Sequence, residues 1–136
     1  NLKAPYRISQ TVAKNMSKNG GGKIINISSI WSKISKSNRT LYSTMKTGII
    51  GMTRSMAIEW AKNNILINAV SPGFVMTELT DNSLTNEQKN KLKEQVPVGR
   101  FAKPEEIASF VSFLCSEKNK YLTGQNIIID GGFTII

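Results

Sequence analysis

A chain of 136 residues that is 40% hydrophobic is one domain's worth and can bury a modest core. A single cysteine, Cys115, excludes a disulfide framework and a cysteine-based metal site, and the lack of histidine removes serine-type triads and zinc centres. The net charge is +9, but the lysines, Lys14 to Lys120 among them, are spread along the chain without an aromatic-interleaved patch, so the charge reads as a solvated surface rather than a nucleic-acid footprint.

Residues 2–18 read as a helix, with Ile8, Val12 and Met16 recurring at helical spacing. Gly20, Gly21 and Gly22 form a helix-to-strand connection. Residues 24–28 are a short apolar strand of the kind buried on both faces of a parallel sheet, and they run into Ser28 and Ser29. Residues 40–62 form a long helix stopped by Asn63 and Asn64; residues 65–71 form the next strand, ended by Pro72 and Gly73. A short helix spans 86–95, with Thr85 and Gln88 placed as a capping box. Pro104 opens a helix through Cys115, with Glu105 and Glu106 set against the helix dipole. Residues 126–130 are the last strand, and Asp130, Gly131 and Gly132 make a tight structural turn. Cys115 is expected to pack rather than react. Helix–strand alternation of this kind predicts an α/β fold with a parallel sheet and right-handed crossovers. No apolar run approaches the ~20 residues of a membrane span. With no signal-peptide pattern either, the expectation is a cytoplasmic protein without membrane contact.

Ser29, Tyr42 and Lys46 carry the chemistry. Tyr42 and Lys46 lie four apart on a helix and so share one face. A free tyrosine, titrating near ~10, is a poor proton donor or acceptor at neutral pH. A cation beside a tyrosine favours the phenolate and makes the phenol usable in acid–base work. A serine hydroxyl can polarise a carbonyl oxygen or steady an alkoxide. Reversible carbonyl reduction is the reaction class that uses all three, and its hydride must come from a cofactor.

In this order and spacing the segments resemble the second half of a short-chain dehydrogenase/reductase, the Rossmann-type family with a Tyr-x-x-x-Lys motif. Asn1-Leu2 resembles the asparagine that opens the helix before the catalytic strand. Asn26 to Ser29 resembles the strand carrying the catalytic serine, and Leu41 to Gly48 the tyrosine–lysine helix. Asn68 to Thr77 resembles the strand and turn that grip the nicotinamide. Val96 to Arg100, Pro104 to Ala108, Tyr121 to Gln125 and Ile129 to Gly132 match the run to the closing strand. The family's glycine-rich adenosine-binding turn has no counterpart. The fold expected is thus a Rossmann-type doubly wound parallel sheet, with 1–136 as its C-terminal, catalytic, nicotinamide-side part and the adenine-binding half absent.

The resemblance implies an NAD(P)-dependent oxidoreductase with Asn1, Ser29, Tyr42 and Lys46 as its catalytic residues and no metal. Tyr42 protonates the carbonyl oxygen, Lys46 serves both the tyrosine and the nicotinamide ribose, Ser29 orients the substrate and Asn1 completes a proton relay. Pro72, Gly73, Val75 and Thr77 join Tyr42 and Lys46 in holding NAD or NADP, NADP slightly preferred. The texture is closest to 3-oxoacyl-carrier-protein reductases, so the substrate implied is a small-molecule or acyl-thioester carbonyl. Sugar and polyol dehydrogenases share most of it. The arginines with which carrier-protein reductases dock their acidic partner align with Gly20 and Asn63; Lys18, Lys23 and Lys62 stand close by. Residues 77–94 correspond to the substrate lid. The enoyl-reductase branch spaces its tyrosine and lysine more widely than here. A homotetramer, or failing that a homodimer, is implied. A non-catalytic assembly subunit on the same fold is the reading from another class, and intact Ser29, Tyr42 and Lys46 speak against it.

Overall fold

The computed structural model describes residues 1–135. Chain order is α1 (Lys3–Met16), β1 (Gly22–Ile27), a 3-10 turn (Ile30–Ser32), α2 (Thr40–Trp60), a second 3-10 turn (Ala61–Asn63), β2 (Ile65–Pro72), α3 (Glu78–Ser83), α4 (Asn86–Glu94), α5 (Pro104–Cys115) and β3 (Asn126–Ile129). The three strands form one parallel sheet in the order β1-β2-β3. No helix among the described residues is long and apolar enough to cross a membrane.

Alternation along the strands assigns the two faces of the sheet. Ile24, Ile65 and Ile67 meet Ala13 and Met16 of α1 and Met52, Met56, Ala57 and Trp60 of α2 in the main core. Lys23 and Leu66 face the other way, toward the end of α5, where Lys23 Nζ donates to Glu117 at 2.9 Å. The sheet therefore lies between α1 and α2 on one side and α5 on the other.

Three local departures from the sequence reading have physical causes. The sequence predicts β1 to be buried on both faces, yet Ile27 is 48% exposed and only Asn26 in the strand is buried. β1 is the edge of the described sheet, and β2 between its two neighbours is the buried strand. On α1 the inward residues are Ser9 and Ala13, while Ile8 is 62% exposed. Of the stripe that identified the helix, Met16 packs on the core while Ile8 and Val12 stay at the surface. Cys115, expected to pack, ends α5 exposed to solvent.

The lid region contains an unforeseen helix, α3. Thr77 caps it by accepting from the Thr80 N–H at 3.2 Å, and Lys89 of α4 pairs with Asp81. The polar run Asp81-Asn82-Ser83 reads as loop by composition, and only the cap marks the helix. The capping box of α4 is present as expected, Thr85 and Gln88 exchanging both bonds. Gly21 has φ +111, and a Cβ there would run into the Asn64 carbonyl, so the bend from α1 into β1 requires glycine.

At the start of α5, Arg100 makes a bidentate pair with Glu106 at 2.7 and 2.8 Å, and Glu106 also accepts from the Lys103 N–H at 2.7 Å. The Arg100 hydrogen bonds, then the Lys103 N–H, hold the Glu106 carboxyl down to about 2 from 4.5. A carboxylate whose folded pKa is depressed contributes stability above its unfolded value and loses it as pH falls toward the folded one. Glu106→Gln is therefore expected to lower Tm at pH 7, with the gap to the unsubstituted protein shrinking through the window from 4.5 to about 2. A gap of equal size at pH ~3 and pH ~7 would show that the ionised carboxylate adds nothing.

Candidate active site

The candidate residues gather where β1 ends against the first turns of α2. β1 ends at Ile27, and Ser28 and Ser29 follow at its carboxyl edge. The Ser28 Oγ donates to the Lys46 carbonyl at 2.9 Å, and the Lys46 Nζ donates to the Ile27 carbonyl at 3.1 Å. These two bonds run in opposite directions between strand and helix and fix their register. Lys46 Nζ then lies 5.7 Å from the centroid of the Tyr42 ring. Partial burial holds the Lys46 ammonium below the usual lysine range.

Ser29, almost fully buried, caps the 3-10 turn by accepting from the Trp31 N–H at 3.3 Å. That bond uses one lone pair and leaves the hydroxyl proton to be donated. Tyr42 is half-buried, and its hydroxyl makes no hydrogen bond among the described residues. Thr47 Oγ1 donates to the Ser32 carbonyl at 3.3 Å, a second tie between the serine turn and α2. Ser28 and Thr47 were missed in the sequence; the doubled serine at a strand end was the available signal.

Asn1 is exposed and precedes α1. Its neighbour Leu2 packs on Gly48, where a Cβ would meet the Leu2 Cδ2 at 2.8 Å. The start of the chain thus lies two residues along α2 from Lys46, though no hydrogen bond joins Asn1 to the dyad among the described residues.

Pro72 is the last residue of β2, and the Gly73 N–H donates to the Ile129 carbonyl at 2.9 Å. A Cβ on Gly73 would meet the Asp130 Cα and Cβ at 2.8 Å, so glycine here admits β3 alongside. Val75 bridges Ala102, with Ala102 N–H donating to Phe74 and Met76 N–H donating to Ala102. Backbone alternation then turns the Val75 N–H away from Ala102. The Thr77 hydroxyl is engaged at the α3 cap, and Phe74 packs tilted against Phe101 and edge to face against Phe133, at 5.5 and 5.0 Å between centroids. The two groups of site residues thus occupy adjoining strand ends: Ser29, Tyr42 and Lys46 by β1, and Pro72 to Thr77 by β2.

The carboxyl ends of neighbouring parallel strands are where open α/β sheets take nucleotides. The Lys46 ammonium has spent one of its three N–H groups and the Tyr42 hydroxyl none, so the residues present fit a nicotinamide ribose. A cavity of about 870 Å³ between α2 and β3, lined by Arg54, Ala57, Gln125 and Ile128 among others, includes none of the candidate catalytic residues. Among the described residues no cluster of acidic or cysteine side chains could hold a metal.

A family model described as enoyl-(acyl carrier protein) reductase, one of the short-chain dehydrogenase models, matches residues 1–134. The chain belongs to the short-chain dehydrogenase/reductase family. It is 46% identical over 132 residues to a 3-oxoacyl-acyl-carrier-protein reductase of Aquifex aeolicus, covering 97% of this chain and 53% of that one. It is 40% identical to an NAD-dependent glycerol dehydrogenase of Listeria innocua, covering 99% of this chain and 53% of the relative. Among solved structures, a 4-hydroxyisoleucine dehydrogenase complexed with NADH superposes with a TM-score of 0.94 at 34% identity, covering 99% of this chain and 56% of that one. The Rossmann-type α/β fold expected from the sequence is thereby shown. The chain spans about half the length of the curated relatives it matches.

Proposed function

We propose that this chain is the catalytic, nicotinamide-side part of a single Rossmann-type domain in an NAD(P)-dependent oxidoreductase that interconverts a carbonyl and a secondary alcohol. The observation that carries the reading is the ammonium of Lys46, tethered to the end of the serine strand at 3.1 Å and lying 5.7 Å from the Tyr42 ring. The cofactor, when bound, supplies or accepts the hydride. Tyr42 gives its phenolic proton to the carbonyl oxygen during reduction and takes it back during oxidation. Lys46 holds its ammonium beside the Tyr42 ring and donates to the nicotinamide ribose. Ser29, with its hydroxyl proton uncommitted, hydrogen-bonds the substrate oxygen. Asn1 relays protons toward Lys46, and Pro72, Gly73, Val75 and Thr77 hold the nicotinamide. The Thr77 hydroxyl would leave its capping bond in α3 to do so.

The substrate favoured is a 3-oxoacyl thioester, supported by the Aquifex relative; the polyol alternative is supported by the Listeria one. The four-residue spacing of Tyr42 and Lys46 argues against enoyl reduction. The slight leaning toward NADP has no support from relatives named for NAD or solved with NADH, so either cofactor is carried forward. A cytoplasmic location follows from a metabolic role of this kind. The test is an assay of the full-length protein with NADPH and NADH against an acetoacetyl thioester and glycerol. Cofactor oxidation or reduction with either substrate is expected, and a protein that binds neither cofactor would leave the non-catalytic subunit as the better account.

A homotetramer, or a homodimer, is part of the same reading. Tyr6, Ile8 and Val12 on α1 and Leu41 and Ile58 on α2 are exposed, an apolar surface suited to a second copy. Sedimentation of the full-length protein at micromolar concentration is expected to give a dimer or tetramer; a clean monomer would refute the assembly.

A further inference from the structure

The first acidic residue in the chain is Glu59, and ten of the eighteen lysines and arginines precede it. The excess charge is thus not uniform: it belongs to α1, β1, α2 and the connections between them. Within that stretch, Lys33, Lys36 and Arg39 all fall on the connection that leads from Ser29 to Tyr42.

This connection is held against the site. The Ser32 hydroxyl donates to the Ser29 carbonyl at 2.7 Å, and the Ser35 and Ser43 hydroxyls meet at 2.9 Å. The second bond joins the middle of the connection to the residue beside Tyr42. Arg39 directly precedes α2 and stands three residues, one helical turn, before Tyr42. The Lys36 ammonium and the Arg39 guanidinium converge on one aromatic ring, 5.4 and 5.9 Å from the centroid of Trp31. Neither has a carboxylate partner among the described residues, whereas Lys23, Lys89, Lys91 and Arg100 each have one. Two cations within reach of one ring and without carboxylate partners leave positive charge that an anion can pair with.

We propose that Trp31, Lys36 and Arg39 form the specificity-determining surface for an anionic group, a carboxylate or a phosphate, carried by the substrate at the end remote from its reacting carbonyl. The inference rests on the reductase reading and deepens it: the preferred substrate is an anion-bearing ketone rather than a neutral one. Trp31 supplies the flat wall that holds both cations in place, and the substrate's chain lies between them and the Tyr42 hydroxyl. The competing account, two solvated cations shielding an aromatic ring, predicts no preference for charge.

Matched substrate pairs decide the matter in the full-length protein. Acetoacetate against its methyl ester probes carboxylate; dihydroxyacetone phosphate against dihydroxyacetone probes phosphate. The anionic member of at least one pair is expected to have a kcat/KM about tenfold higher or more at low salt. That ratio should shrink as ionic strength rises from ~0.01 to ~0.5 M. In the double variant Lys36→Ala/Arg39→Ala it should fall toward one, while Lys36→Arg/Arg39→Lys keeps it. Equal kcat/KM within both pairs, or a ratio indifferent to the double substitution, overturns this inference and leaves the reductase reading standing. No turnover of any ketone by the full-length protein overturns both.

Discussion

Tyr42→Phe is expected to cut carbonyl turnover in the full-length protein by about 10²–10⁴-fold, the usual worth of a positioned proton donor. The ring remains, so its packing on the Lys46 ammonium at 5.7 Å remains, and affinity for the cofactor should change little. Only the transferable proton is removed. Lys46→Met differs in kind, because Lys46 is proposed to serve both tyrosine and ribose, so kcat and cofactor affinity should fall together. Its effect on stability should run the other way. Burial holds the Lys46 pKa below its ordinary value, so protonation costs the folded state more than the unfolded one. Stability attributable to Lys46 therefore rises as pH climbs through its lowered folded pKa toward the ordinary lysine value. Replacing it by an apolar chain of similar length is expected to leave Tm at neutral pH unchanged or higher, a trade seen where sites are built for function. Steady-state rates, cofactor titration and thermal melts of the two variants separate these outcomes. Near-wild-type turnover by Tyr42→Phe would refute the proposed acid–base role outright.

The dyad was legible in the sequence because a helix fixes what four residues' spacing means, and the strand ahead of it was legible as a short β-branched run. What joined them was not. The crossed bonds between Ser28 and Lys46 and between Lys46 and Ile27 use two main-chain carbonyls, and a backbone acceptor leaves no mark on residue identity. Burial was legible only in part, since it depends on neighbours: β1 reads like any apolar strand, and its place at the edge of the described sheet is a property of pairing. α1 shows the same limit. Ile8 and Val12 announced a helix, yet the small Ser9 and Ala13 let it approach the sheet closely. Pro72 and Gly73 were read as a cofactor turn, while the close approach of Asp130 gives Gly73 a packing reason that stands whether or not a cofactor binds.

The largest expected effect on stability lies in the buried polar chain that ties both helices to the catalytic strand. Asn26 on β1 accepts from the Ser9 hydroxyl of α1 at 3.3 Å and donates to the Thr53 hydroxyl of α2 at 3.0 Å. All three residues are nearly inaccessible to solvent. Thr53 lies seven residues beyond Lys46, two helical turns along α2, so this bond and the Lys46–Ile27 bond together set the helix against β1. Asn26→Ala removes both partners at once and leaves a gap. Ser9 and Thr53 can each turn back to a carbonyl four residues earlier in their helices, which softens the penalty for the stranded hydroxyls. About 1–3 kcal/mol should still be lost for the unsatisfied polar groups, before any cost of the gap. Loosening the register should also draw the Lys46 ammonium away from Tyr42, so turnover falls further than the loss of folded protein accounts for. Ser9→Ala/Asn26→Leu/Thr53→Val replaces the whole chain by apolar groups of similar shape, and it should restore much of the stability. Chemical denaturation of the two variants, read beside kcat in the full-length protein, is the measurement. If Asn26→Ala were as stable as the unsubstituted protein, the chain would be incidental to the fold; if the triple variant were less stable still, the cost would lie in packing rather than in unsatisfied hydrogen bonds.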